Sequence, residues 1–328
     1  MRLLNLRKEV LDLNILVTGG AGFIGRWVVK KLLADQHNVW VLDNLSNGSE
    51  ENLKEFEENK NFVEFTKGDI KDNLVLEKLF QNNYEVCYHL AASINVQDSI
   101  DDPKTTFEND TVGTFHVLEQ CRKHNTKMVF MSTCMVYDKA NDESGITECD
   151  PIKPASPYAA SKIAGENIVL SYWYAYKLPV VVVRPFNTYG PFQKSGGEGG
   201  VIAIFIKKAL QGESLNIYGE GSQTRDLLYV DDCANFVVQA GFSDQVNGEI
   251  VNAGLGRDIT INDLALIISG DIKKINHVEH IHPQSEIAKL LCNYNKAKEL
   301  LGWSPQVSLE DGIEKTKSWI KATDLNKL

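Results

Sequence analysis

Apolar residues in the first half of the chain fall in short unbroken runs rather than in strict alternation. The runs are Asn14-Ile-Leu-Val-Thr18, Asn38-Val-Trp-Val-Leu-Asp43, Phe62-Val-Glu-Phe65, Val86-Cys-Tyr-His-Leu90, Lys127-Met-Val-Phe-Met131 and Pro179-Val-Val-Val-Val183. Each has the form of a strand buried on both faces. Helical spacing over 23–33, 74–81, 105–124 and 157–176 separates most of them. This alternation predicts an α/β fold, a parallel sheet covered by helices on both sides. After Arg184 the rhythm changes. Gly196–Gly200 reads as a flexible break, 201–210 as a helix and 215–218 as a short strand. Residues 227–230 look like a return to the sheet, followed by a helix through 231–242. From Arg257 a smaller mixed α/β region runs to a helix near 310–322. The expected division is one large unit, 1–186 with 224–256, and a smaller one, 187–223 with 257–328.

Composition leaves this picture intact and narrows the partners. The 328 residues are 43% hydrophobic and 24% charged, with a formal net charge of −10. That balance argues against nucleic acid or an anionic membrane as partner, since both call for a basic face. The six cysteines form no C-x-x-C pair, which fits reduced thiols better than disulfides or a metal site. Residues 1–14 carry charges throughout, so a signal peptide is not expected, and no run is long enough to span a bilayer. A cytoplasmic protein is expected.

Thr18-Gly19-Gly-Ala-Gly22-Phe23-Ile24-Gly25 lies between a predicted strand and a predicted helix. Glycines there allow a tight turn and close backbone approach, and the helix N-terminus favours a pyrophosphate. Asp43 closes the next strand, where a carboxylate accepts from an adenosine ribose and repels a 2′-phosphate. Asn44, Ser46, Asn47 and Gly48 follow without a nearby Arg, so NAD is favoured over NADP. Asp69, before Ile70, is either an acceptor for the adenine amino group or a polar cap at a strand end. Leu90-Ala91-Ala92 ends a strand with small residues suited to a close cofactor.

Tyr158 and Lys162 stand four apart on a predicted helix and so share one face. An ammonium beside a phenol favours the phenolate, which predicts a lowered Tyr158 pKa. Thr133, brought alongside, would complete a site that moves a proton on or off a sugar alcohol.

These motifs, with Arg184-Pro185-Phe-Asn187-Thr-Tyr-Gly-Pro191, Gly219-x-Gly-x-Gln-x-Arg225-Asp226 and Leu301-Gly-Trp-x-Pro305, resemble the extended short-chain dehydrogenase/reductase family. The likeness is to its nucleotide-sugar epimerases and dehydratases and runs from about 14 to 319. It implies a Rossmann domain holding NAD, with Pro185 at the cofactor, and a smaller domain clasping a nucleotide diphosphate sugar, UDP-linked. Asn187 and Arg225 would contact the diphosphate, and Val201, Leu215, Asn216 and Tyr218 would frame the base. It also implies a homodimer joined through a four-helix bundle built on 105–124 and 157–176. There Phe107, Phe115, Tyr172 and Trp173 face either a partner or the protomer's own core. Departures are Asp110 in place of the Asn of N-x-x-G-T, Asp138 after V-Y, and His282-Pro-Gln-Ser-Glu286 in place of an R-P-G segment.

In that family the 4,6-dehydratases carry Asp-Glu after the Thr, and here the pair is Cys134-Met135. Met135 can line a sugar but cannot move a proton. Cys134 could serve as acid at C6, as base at C5, or as a small buried hydrophobe. The run S-T-C-x-V-Y is similar to UDP-N-acetylglucosamine 5,6-dehydratases of the tunicamycin and pseudaminic acid type. The leading expectation is therefore a UDP-N-acetylglucosamine dehydratase giving a 5,6-ene. The alternatives are a UDP-sugar 4-epimerase and, more remotely, a catalytically silent NAD-binding sensor.

Overall fold

The computed structural model describes residues 12–194, 200–280 and 283–323. The stretch 1–11 read for a leader, the break at Gly196–Gly199, and His282 lie outside them.

Six strands alternate with helices in the first half: β1 (Asn14–Thr18), β2 (Asn38–Asp43), β3 (Phe62–Lys67), β4 (Val86–His89), β5 (Lys127–Met131) and β6 (Val180–Pro185). The second half adds β7 (Asn187–Tyr189), β8 (Leu215–Tyr218), β9 (Thr224–Tyr229), β10 (Ile250–Ala253), β11 (Asp258–Thr260) and β12 (Ile275–Val278). One parallel sheet of seven strands has the order β10-β6-β5-β4-β1-β2-β3. Its order reverses between β1 and β4, and in open α/β sheets that is where a ligand crevice forms beyond the strand ends.

Side chains alternate across this sheet, as the pleat demands. Ile15 and Val17 join Val39, Val41 and the buried faces of helices Phe23–Ala34 and Val230–Phe242. Leu16, Leu42, Cys87 and Phe130 point the other way, toward helices Thr114–His124 and Pro157–Tyr176. Tyr172 belongs to that second core, and its hydroxyl bonds Glu119 Oε1 at 2.6 Å. Phe107 and Phe115 are exposed on the outer surface.

Residues 227–230 do not return to the large sheet. They lie in and just after β9, which pairs with β7 in parallel and β11 in antiparallel to form a separate three-stranded sheet. The strand that rejoins the large sheet is β10, seated beside β6 in parallel. Both runs are apolar and short, so their own patterns do not reveal which edge each finds. β8 and β12 form a two-stranded sheet over a third core with Ile202, Phe205, Leu264 and Ile313.

Candidate active site

The β1 turn shows why only glycine serves at two positions. Gly19 has φ +72°, and a Cβ there would stand 2.7 Å from Ala91 N. A Cβ on Gly25 would stand 2.1 Å from Gly19 O. Gly22 is the N-cap of helix Phe23–Ala34 and offers no side-chain cap, so the helix start is left open to an anion. Asp43 holds this turn from the next strand: its Oδ2 accepts from Ala21 N at 3.0 Å and its Oδ1 from Leu45 N at 2.8 Å. A carboxylate has lone pairs to spare beyond two such bonds, so a ribose diol fits as a further donor. Asn44 Nδ2 donates to Asp69 Oδ2 at 3.1 Å, while Asp69 Oδ1 takes Lys71 N at 2.8 Å. Asp69 is thus a local cap that also borders the crevice.

Beyond these tips lies a cavity of about 490 Å³. Its walls include the glycine turn, Asp43 to Gly48 without Leu45, Asp69, Ile70, Leu90 to Ala92 and Pro185. They also include Thr133, Cys134, Met135, Tyr158, Lys162, Asn187, Val201 and Arg225. Three expected residues stand apart. Leu215 is fully buried in the third core, while Asn216 and Tyr218 are exposed on the other face of β8. Strand alternation sends 215 and 217 inward to that core, away from the cavity.

Helix Pro157–Tyr176 starts cleanly because Ser156 accepts from Ala159 N at 3.2 Å and Pro157 needs no donor. That start brings buried Tyr158 and Lys162 against the end of β5. Lys162 Nζ donates to Met131 O at 3.0 Å and lies 5.2 Å from the Phe130 ring centroid. Thr133 caps the short turn Cys134–Val136, accepting from Met135 N at 3.2 Å, and stands near enough to Tyr158 to pull its pKa down. The expected lowering of the Tyr158 pKa is not what the protein does by itself. Burial pushes the phenol above its usual range, Asp110 pushes it further, and the pull of Thr133 only partly opposes them. Helical spacing shows a neighbour but not the loss of solvent, and here the loss of solvent dominates. Lys162 is lowered by its own burial, against the pull of Asp110 and Glu166.

Sequence reading passed over the layer behind this pair. Glu166, one turn past Lys162, accepts from Ser132 Oγ and from Arg184 Nε at 2.8 Å. Arg184 lies 4.7 Å from the Tyr137 ring centroid, and Tyr137 donates to Asn252 Oδ1 at 2.8 Å. The i, i+4 step from Lys162 and the Arg that opens R-P-F-N were the available signals. His89 is wedged between Thr18 Oγ1 at 2.7 Å and Thr114 Oγ1 at 3.0 Å, and burial drives it down to about 3, so it stays neutral.

Directly after Thr133, Cys134 is buried in a cluster with Val136, Phe186, Ile287 and Cys292. Its Sγ lies 4.0 Å from Asn187 Oδ1, and burial pushes the thiol up to about 12, with Arg225 pulling the other way. Arg225 is paired with Glu286 and donates to Ile287 O at 2.8 Å; burial lowers it to about 10. Glu286 in turn meets His280 Nε2 at 2.6 Å. Among the described residues lining the cavity, the only carboxylates are Asp43 and Asp69, at the β2 and β3 tips.

A glycine turn facing an open helix start, an Asp at the tip of β2 and a Thr-Tyr-Lys set at β5 define an NAD-dependent enzyme of sugar-alcohol chemistry. The sequence pattern of the "NAD dependent epimerase/dehydratase family" matches residues 15–254, and the chain belongs to that family. A UDP-glucose 4-epimerase of Mycolicibacterium smegmatis is 38% identical over 94% of this chain and 99% of its own length. The X-ray structure of Pal from Bacillus thuringiensis is 67% identical, with TM-score 0.93, over 94% of this chain and 99% of that one. A UDP-glucose 4-epimerase of Thermotoga maritima, solved with UDP-glucose, is 35% identical with TM-score 0.88, over 94% of this chain and 99% of that one. The glycine cradle, which a Cβ would fill, and the spare acceptor capacity of Asp43 fit NAD. Among the described residues no helix is long and apolar enough to cross a membrane.

Proposed function

We propose that the chain transiently oxidises C4 of a UDP-linked hexose and reduces it again from the other face, giving the C4 epimer. One observation carries this reading. The groups needed at C4 converge on one point, yet among the described residues no carboxylate lines the sugar end of the cavity. Where an Asp-Glu pair would carry an elimination, directly after Thr133, stand Cys134 and Met135. NAD, when bound, supplies the hydride acceptor and returns the hydride.

Tyr158 takes the C4 hydroxyl proton and later gives it back. Lys162, fixed through Met131 O, keeps a positive charge beside the phenol. Thr133 bonds both the phenol and the reacting oxygen. Arg225 and Asn187 hold the diphosphate, the first by charge and fork geometry, the second without charge. Met135 and Cys134 form a wall that makes little hydrogen-bond demand on the sugar, so the 4-ketone can turn within it.

A second reading, dehydration of UDP-N-acetylglucosamine to a 5,6-ene, is favoured by the Cys134 thiol beside Asn187 at the sugar end. A thiol held protonated by burial can give its proton to the C6 hydroxyl as that group leaves as water, while the C5 proton, acidified by the 4-ketone, passes to solvent and the C5–C6 double bond forms. Mass spectrometry of UDP-glucose and UDP-N-acetylglucosamine incubated in D₂O separates the two. An unchanged mass with a new C4 isomer is expected. Loss of water, or deuterium at C5, would replace the first reading by the second.

A further inference from the structure

We propose that Asp110 is a positioning residue whose buried carboxyl group sets the charge around Tyr158 and Lys162, and so the pH range in which the phenol gives up its proton. The proposal rests on Tyr158 being the proton-transfer group.

Asp110 lies in a π-helical turn, Glu108–Gly113, packed on the helix that carries both residues. Thr111 Oγ1 in the same turn bonds Ser161 O at 3.2 Å, which fixes the turn one residue before Lys162. The Asp110 side chain is fully buried. Its Oδ1 accepts from Ser93 N at 2.6 Å, while Oδ2 is buried with no hydrogen-bond partner. Neighbouring Asn109 turns to Ser93 Oγ at 3.0 Å and lines the cavity, so it does not take the place of the missing amide.

A buried carboxyl with a bare oxygen is costly, and is tolerated where a cation stands close. The charged and titratable groups around it are few. Lys162 and Tyr158 stand on the Pro157–Tyr176 helix against which this turn packs and are coupled to Asp110 by charge, with Glu166 acting on Lys162 from one turn further. His89 on β4 reaches it only through Thr114, whose Oγ1 bonds Asp110 O at 2.6 Å, and is neutral. Glu108, in its own turn, pairs outward with Lys104.

Burial raises Asp110 to about 6, against the pull of Lys162. Above that pH its negative charge raises the Tyr158 pKa and supports the Lys162 charge. Below it the carboxyl is neutral and the restraint on the phenol is released. Asp110 therefore opposes early loss of the phenolic proton while securing the ammonium that the phenolate needs.

The test is Asp110→Asn, which keeps size and shape. Phenolate absorbance is titrated on NAD-loaded protein, with Tyr158→Phe as the blank, beside the pH profile of kcat/KM and the melting temperature. The Tyr158 midpoint and the acid limb of kcat/KM are expected about one pH unit lower in the variant. Coincident midpoints in folded wild-type and Asn proteins overturn the proposal, whatever happens to the melting temperature. Should Asp110→Asn fail to fold, Asp110→Ser gives the same comparison. The absorbance titration needs no substrate, so it decides even where the choice of sugar proves wrong.

Discussion

At the cofactor end of the cavity the walls are mostly backbone. Gly19, Gly22 and Gly25 clear space, Gly22 leaves a helix start uncapped, and one carboxylate, Asp43, ties the turn to the neighbouring strand. At the sugar end the walls are side chains from distant segments: Thr133 to Met135 after β5, Asn187 on β7, Arg225 on β9 and Glu286 behind it. The first end works through absence of atoms and has little to adjust. The second works through paired charges and one buried thiol, each of which sets what the sugar can undergo.

The most severe way to break this contrast is to put an atom into the backbone wall. Gly25→Ala places a Cβ 2.1 Å from Gly19 O, so the turn and the helix start must separate. Titration calorimetry with NAD is expected to show affinity falling about a hundredfold, near 3 kcal/mol, with UDP binding much less affected. Unchanged NAD affinity would mean that the turn does not shape the cofactor end.

The same contrast explains what was legible. The glycine turn, Asp43 and the Tyr158–Lys162 spacing were readable because each depends on neighbours a few residues apart or on the next strand. The place of β9 was not, because a short apolar run looks alike in either sheet. Leu215, Asn216 and Tyr218 were assigned to the base by resemblance; pleat alternation buries Leu215 in a separate core and leaves Asn216 and Tyr218 exposed, a split that the resemblance does not reveal. Asp110 was visible as a departure, yet its burial and its bare oxygen arise only when the π-helical turn packs on the catalytic helix. The Glu286–Arg225 pair joins residues far apart in sequence, and no local pattern encodes it.

That pair gives an intermediate test of the charged wall. Glu286 occupies Arg225, the residue expected to meet the diphosphate, and also holds His280. A diphosphate must displace the carboxylate or share the guanidinium with it. Glu286→Gln removes the competing charge and is expected to tighten UDP binding roughly fivefold, about 1 kcal/mol, by equilibrium titration. Weaker binding would show instead that Glu286 holds Arg225 in its binding pose.

The smallest expected effect falls on Cys134. Its side chain belongs to an apolar cluster, and its thiol stays protonated with a pKa near 12. In a 4-epimerase it is packing, so Cys134→Ala should cost about 1 kcal/mol of stability and leave turnover within a few-fold. Cys134→Ser would then be the more damaging variant, since it adds a hydroxyl to an apolar cluster without a new partner. In a dehydratase the order reverses, because Ser retains a proton to give to the departing C6 hydroxyl and Ala does not. Comparing the two variants for C4 isomerisation and for loss of water therefore ranks packing against proton transfer at the same atom. A C4 rate that survives in Ala but falls in Ser identifies the thiol as part of the wall, with the chemistry confined to Thr133, Tyr158 and Lys162.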